Sequence, residues 1–223
     1  MKHKHAIVFC LSLLICANLA MAQDPKKFEL GVFGGRTGSE GIEVEATAIG
    51  GGQVVTQLDP KSGSSWGFDV NYLASENWAI GFQWTRQSSK LLGQLAGGGT
   101  QEFGDLNLDN YHGTFTYHFG GADSKVRPYF FGGLGSTVYG FGQIGGFDVD
   151  GATRFSTTWG GGVKFFFTPN FGLKATVRWT PTYIKSDPEG IWCSPYYPWG
   201  CWVVGNPDYS QQAELSAGIV IRF

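Results

Sequence analysis

The last eleven residues, AELSAGIVIRF (213–223), decide how the rest of the chain is read. Counting back by twos from the terminus gives Phe223, Ile221, Ile219, Ala217, Leu215 and Ala213, all apolar. The residues between them, Arg222, Val220, Gly218, Ser216 and Glu214, are mostly small or charged. A period of two is that of a β-strand, whose side chains alternate between faces. Here the apolar face continues to the final residue, where chains ordinarily fray into water. The identity of the medium against that face is the question the sequence poses.

The same alternation recurs in seven earlier segments: KFELGVFGG (27–35), SSWGFDVNYL (64–73), NWAIGFQWTR (77–86), DNYHGTFTYHFG (109–120), VRPYFFGGLGSTVY (126–139), TRFSTTWGGGVKFFFT (153–168) and FGLKATVRWT (171–180). It is weakest in the fifth segment, 126–139. Tight turns join three pairs: ASEN (74–77), GADSK (121–125) and TPN (168–170). The other four connections, about 36–63, 87–108, 140–153 and 184–210, are long and rich in Gly, Ser, Asp and Pro. An even strand count with short turns on one rim and long loops on the other is the pattern of a barrel that crosses an outer membrane, with both termini on the periplasmic side.

Direction follows from what each face carries. The apolar face holds almost no charge, and an Arg or Lys there would cost about 2–4 kcal/mol at mid-bilayer. It is rimmed by Trp66, Trp78, Trp84, Tyr111, Trp159, Phe171 and Trp179, as a membrane-interface girdle is. The opposite face carries Glu29, Asp69, His112, Arg127, Lys164, Lys174, Arg178, Glu214 and Arg222, with Gly31, Gly81, Gly161 and Gly218 filling between them. A soluble eight-stranded calyx would turn its apolar face inward around a ligand, and unpaired charges in such a core are costly. The expectation is therefore all-β: a closed antiparallel eight-stranded transmembrane β-barrel over residues 23–223, with short periplasmic turns and four long extracellular loops. In hydrocarbon only a closed sheet satisfies its backbone.

The first 22 residues read as a cleaved export signal. MKHKH is basic, AIVFCLSLLICANLA is an apolar run too short for a spanning helix, and Ala20 and Ala22 are the small residues before a cleavage site. Without Lys2 and Lys4 the chain keeps 14 basic against 18 acidic residues, a net charge of −4. That is no platform for nucleic acid. The two cysteines that remain, Cys193 and Cys201 in WCSPYYPWGCW, are expected to pair in an oxidising compartment. The same loop concentrates large aromatics, which suit either a binding surface or packing against the barrel mouth.

No chemical motif survives inspection, and no cofactor or metal is expected. Gly140, Gly142 and Gly145 form a GxGxxG that no helix follows. DLNLDN (105–110) fails as a calcium loop, with Asn110 in place of the sixth-position Gly and Thr116 in place of the twelfth-position Glu. His112 and His118 share a face but lie about 20 Å apart along a strand, too far for one metal. Neither is followed, two residues on, by a serine. The five lumen cations and three lumen acids form either a salt-bridged plug or the lining of a narrow pore. Since eight-stranded interiors are just wide enough for side chains to fill, the plug is the favoured reading.

VRPYFFGGLG (126–135), the strand after a tight turn, and the terminal GIVIRF (218–223) carry a resemblance to the small eight-stranded outer-membrane β-barrels, the OmpA/OmpX-like family. The resemblance spans nearly the whole exported chain. It implies that Phe223 is a C-terminal signal read by the barrel-assembly machinery. The resemblance says little about function; the expectation is a monomer in outer-membrane lipid with a structural or surface-interaction role, and an extracellular ligand of unknown identity at the loops. A narrow channel and a lipid-modifying enzyme are the alternatives, because this fold hosts several functions.

Overall fold

The computed structural model describes residues 26–39, 42–49, 53–95, 98–141, 143–144, 147–148, 151–183, 192–193, 201–202 and 209–223. In chain order the strands are β1 (Phe28–Ser39), β2 (Ile42–Ile49), β3 (Gln53–Pro60), β4 (Gly63–Leu73), β5 (Trp78–Leu95), β6 (Thr100–His118) and β7 (Val126–Phe141). They continue as β8 (Gln143–Ile144), β9 (Phe147–Asp148), β10 (Ala152–Phe166), β11 (Phe171–Tyr183), β12 (Trp192–Cys193), β13 (Cys201–Trp202) and β14 (Tyr209–Arg222). Eight of them form the barrel: β1, β4, β5, β6, β7, β10, β11 and β14, each antiparallel to its neighbours. The terminal strand closes it, pairing with β1 from Glu29↔Arg222 to Ser39↔Gln212 and with β11 on its other edge. The backbone also pairs across the seam, where Phe28 and Phe223 exchange two hydrogen bonds of 2.9 Å.

The predicted alternation sorts as a membrane requires. Val177 and Leu215 lie more than half exposed on the outside, while Glu29 and His112 are wholly buried inside. Phe223 stacks on outward-facing Phe28 with ring centroids 6.0 Å apart. At the periplasmic rim the short turns are stitched by side chains. Asn77 Nδ2 donates to the carbonyls of His118 (2.7 Å) and Gly120 (3.1 Å), binding one turn to the next. Thr168 Oγ1 accepts from the Phe171 amide at 3.0 Å.

Three expectations need correction. The first long connection carries a hairpin, β2–β3, whose second strand pairs with β5. The second is mostly strand: β5 and β6 run on for 18 and 19 residues and leave only 96–99 as the connection. The barrel thus projects a ribbon of strands where the first two long loops were expected. The third correction concerns Gly161, which faces outward with its partners Phe130 and Val177; its neighbours Gly160 and Gly162 face the lumen. The run of three glycines offers no side chain that would mark the face.

On the lipid side Gly132 makes room for an aromatic. A Cβ there would lie 2.9 Å from Trp159, whose ring covers the glycine. Covering a strand glycine with an aromatic is a known device of curved sheets. Gly132→Val is expected to displace Trp159 and cost about 1–3 kcal/mol, as overpacking does. Urea unfolding in vesicles would show it, and an unchanged midpoint would refute the role given to Trp159.

Candidate functional site

The lumen is the built site of the molecule. Its acids and cations come from strands far apart in sequence, brought together by the barrel's stagger. At the periplasmic end Glu29 (β1) accepts from Lys164 (β10), and from Arg222 (β14) through Nε at 3.1 Å and Nη2 at 2.7 Å. His118 Nε2 lies 2.8 Å from Lys164 Nζ and 3.9 Å from the Glu29 carboxylate. The lysine is the donor in that contact, which places the ring proton on Nδ1. Two cations also sit over rings, Lys164 5.1 Å from the Tyr129 centroid and Arg222 4.2 Å from Phe166.

One layer up, Asp69 pairs with Lys174 and accepts from Asn71 Nδ2 at 2.8 Å. Lys174 stands 4.3 Å over the Phe33 ring. Gly31 makes this pair possible: a Cβ on it would lie 2.6 Å from the Asp69 carboxylate and 2.7 Å from Lys174 Nζ. Higher still, Glu214 binds Arg178 Nη2 at 2.7 Å and accepts from Thr37 Oγ1 at 3.3 Å, while Arg178 Nη1 donates to Thr85.

Above the charges lies a neutral layer. Thr137 Oγ1 meets Asn110 (2.6 Å), Ser156 (3.0 Å) and Thr182 (3.1 Å), and Asn110 Nδ2 donates to Gln212 at 3.3 Å. Here His112 Nε2 contacts Ser156 Oγ at 2.9 Å. The pair is legible only through register. Both residues are partners of Gly135 in one row across β6, β7 and β10, and glycine leaves the gap that the imidazole spans. A histidine at hydrogen-bond distance from a serine is the start of a nucleophile–base pair. This one is wholly buried, and His112 Nδ1 has no orienting partner among the described residues. Its chemistry is that of a buried crosslink between strands. Leu106, Leu108 and Tyr139 then close the extracellular end with a small apolar cap. Between the charged layers lies a cavity of about 30 Å³ beside Asp69, Lys164 and Lys174, room for a water or two.

A family model for the outer membrane protein β-barrel domain matches residues 7–223. The chain belongs to the outer membrane protein β-barrel family. No curated protein matches the chain in sequence. Among solved structures, OprG from Pseudomonas aeruginosa superposes with a TM-score of 0.57 at 12% identity, covering 91% of this chain and 98% of its own. The outer membrane protein AlkL gives 0.53 at 16% identity over 91% and 92%. Neisserial surface protein A gives 0.51 at 17% identity over 88% and 97%. At these identities the likeness is one of fold; membership of the outer membrane family sets lipid against the outer face.

In this outer-membrane barrel the nine lumen residues named from sequence all point inward and are all buried. The girdle residues all lie on the outer face. Trp78 and Phe171 follow the periplasmic turns, and Trp66, Trp84, Tyr111, Trp159 and Trp179 lie farther toward the extracellular side, with Trp66 and Trp84 packed edge to face at 4.8 Å. Sequence reasoning missed Tyr129, Phe131, Thr137 and Ser156 as lumen residues. Cys193 and Cys201 face each other across the β12–β13 pair. Directly opposed strand residues have the separation that a disulfide spans. Their side chains lie outside the described residues, as does most of the aromatic loop around them.

Proposed function

We propose that this outer-membrane barrel is a non-catalytic, non-conducting scaffold that holds extracellular strands and loops at the cell surface, with a structural or surface-interaction role. The observation that carries the reading is the lumen. Ion pairs fill its periplasmic and middle layers, a hydroxyl and amide layer follows, and an apolar cap ends it, with a cavity of about 30 Å³ between the charged layers. Such packing stabilises a narrow barrel and obstructs solute passage. The ribbon formed by β2, β3, β5 and β6 supplies the surface for an extracellular ligand, and a Cys193–Cys201 bond would staple the loop beside it. Residues 1–22 are removed on export, and Phe223 presents the last strand to the barrel-assembly machinery. The barrel then resides as a monomer in outer-membrane lipid.

The test is conductance. Purified barrel reconstituted in planar bilayers is expected to give no reproducible single-channel steps. Steady anion-selective steps would replace this reading with that of a narrow pore.

A further inference from the structure

Of the five lumen cations Arg127, Lys164, Lys174, Arg178 and Arg222, Arg127 has no carboxylate partner within ion-pair distance among the described residues. It is 1% exposed, its Nη2 donates to the carbonyl of Glu76, and its Nε has no hydrogen-bond partner. A guanidinium buried without an anion is costly to the fold. The residue lines a cavity of about 940 Å³ at the periplasmic mouth, bounded by the short turns. Arg127 and Arg222, both buried, form its base, and Lys26, Lys27 and Lys125 stand toward its rim. The lining has only Glu76 and Asp123 against these five cations, and with Arg222 already paired to Glu29 the excess is two positive charges. Burial, then the Arg222 guanidinium, hold Lys26 below its ordinary value, with Asp123 acting against them. Leu73, Phe166 and Pro169 add an apolar wall.

We propose that this vestibule is an anion site that takes a phosphate group, carried by an inner-leaflet lipid headgroup or by a free phosphate compound of the periplasm. A single carboxylate would leave part of the excess charge uncompensated, whereas a phosphate dianion matches it and offers more acceptors for guanidinium and ammonium donors together. The cavity has the volume of ordinary ligand sites, and its apolar wall suits the body of a phosphate ester. The vestibule shares Arg222 with the plug and lies outside it, Glu29 being engaged by Lys164 and Arg222 beneath the cavity.

The experiment titrates inorganic phosphate into barrel refolded in a neutral detergent and follows binding by calorimetry. Saturable binding is expected, weakened at least about tenfold by Arg127→Gln and by Lys125→Glu, and unchanged by Lys61→Glu on the extracellular side. Lys125 is exposed, so its variant tests the site even if Arg127→Gln fails to fold. In a second arm, barrel from phosphatidylcholine bilayers with added phosphatidic acid is examined for bound lipid by native mass spectrometry. Phosphatidic acid retained by the parent and lost from Lys125→Glu assigns the phosphate to lipid. Phosphate binding without retained lipid assigns it to a free compound. Absence of saturable binding in both arms, or binding that neither vestibule variant alters, overturns the proposal.

Discussion

Glu29→Gln is expected to destabilise the barrel by about 3–5 kcal/mol, the largest effect of any single lumen change. The substitution keeps the shape of the side chain and removes its charge. Lys164 and Arg222 then stay buried with no carboxylate between them, since both depend on Glu29 for their ion pairs. Equilibrium unfolding in urea, with folded barrel scored by its mobility in unheated SDS, would read the loss. The cause is separable from a simple packing defect. Combining Glu29→Gln with Lys164→Met should cost less than the sum of the two single changes, because the second removes a charge that the first orphans. Additive costs would mean that the cluster contributes no coupled charge energy.

The second large effect lies on the opposite face. Ala175 points outward on β11, midway between Phe171 and Trp179, with Val163 and Ala217 as its outward-facing partners. Ala175→Arg should cost about 2–4 kcal/mol in vesicles, the penalty for a cation on the lipid face near the bilayer midplane. Alanine has almost no side chain to lose, so the cost reports the medium and not a cavity. The same unfolding series measures it. A change within about 0.5 kcal/mol, as at an ordinary exposed site, would mean that this position does not lie in hydrocarbon.

The eight barrel strands were legible because hydrocarbon outside and polar groups inside give alternation its full contrast, as in Trp66, Phe68 and Val70 against Asp69 and Asn71. Above the girdle that contrast reverses. Past Tyr111, counting toward the surface, Asp109, Asn107 and Asp105 turn outward into water while Leu108 and Leu106 turn inward as the cap. The period survives but its polarity is inverted, so the outer parts of β5 and β6 read as loop. β7 was faint for another reason: Tyr129, Phe131 and Tyr139 fill the lumen side, leaving both faces aromatic or apolar. The membership of the plug could be read from parity alone. Its pairing could not, because Lys164 and Glu29 are 135 residues apart and meet only through strand order and stagger. The His112–Ser156 contact was hidden likewise, needing Gly135 in register between them.

The seam between β1 and β14 has a consequence for how the molecule must form. Glu29 enters with the first strand, and its two cation partners arrive with β10 and β14, the second of them 193 residues later. A nascent sheet that lacks the final strand leaves this carboxylate half satisfied and its own two edges open in a medium that tolerates neither. Partial structures are therefore penalised twice, and the long sequence separation makes the closing step slow. Assembly should behave as a single cooperative event, with no stable species that stops short of the last strand.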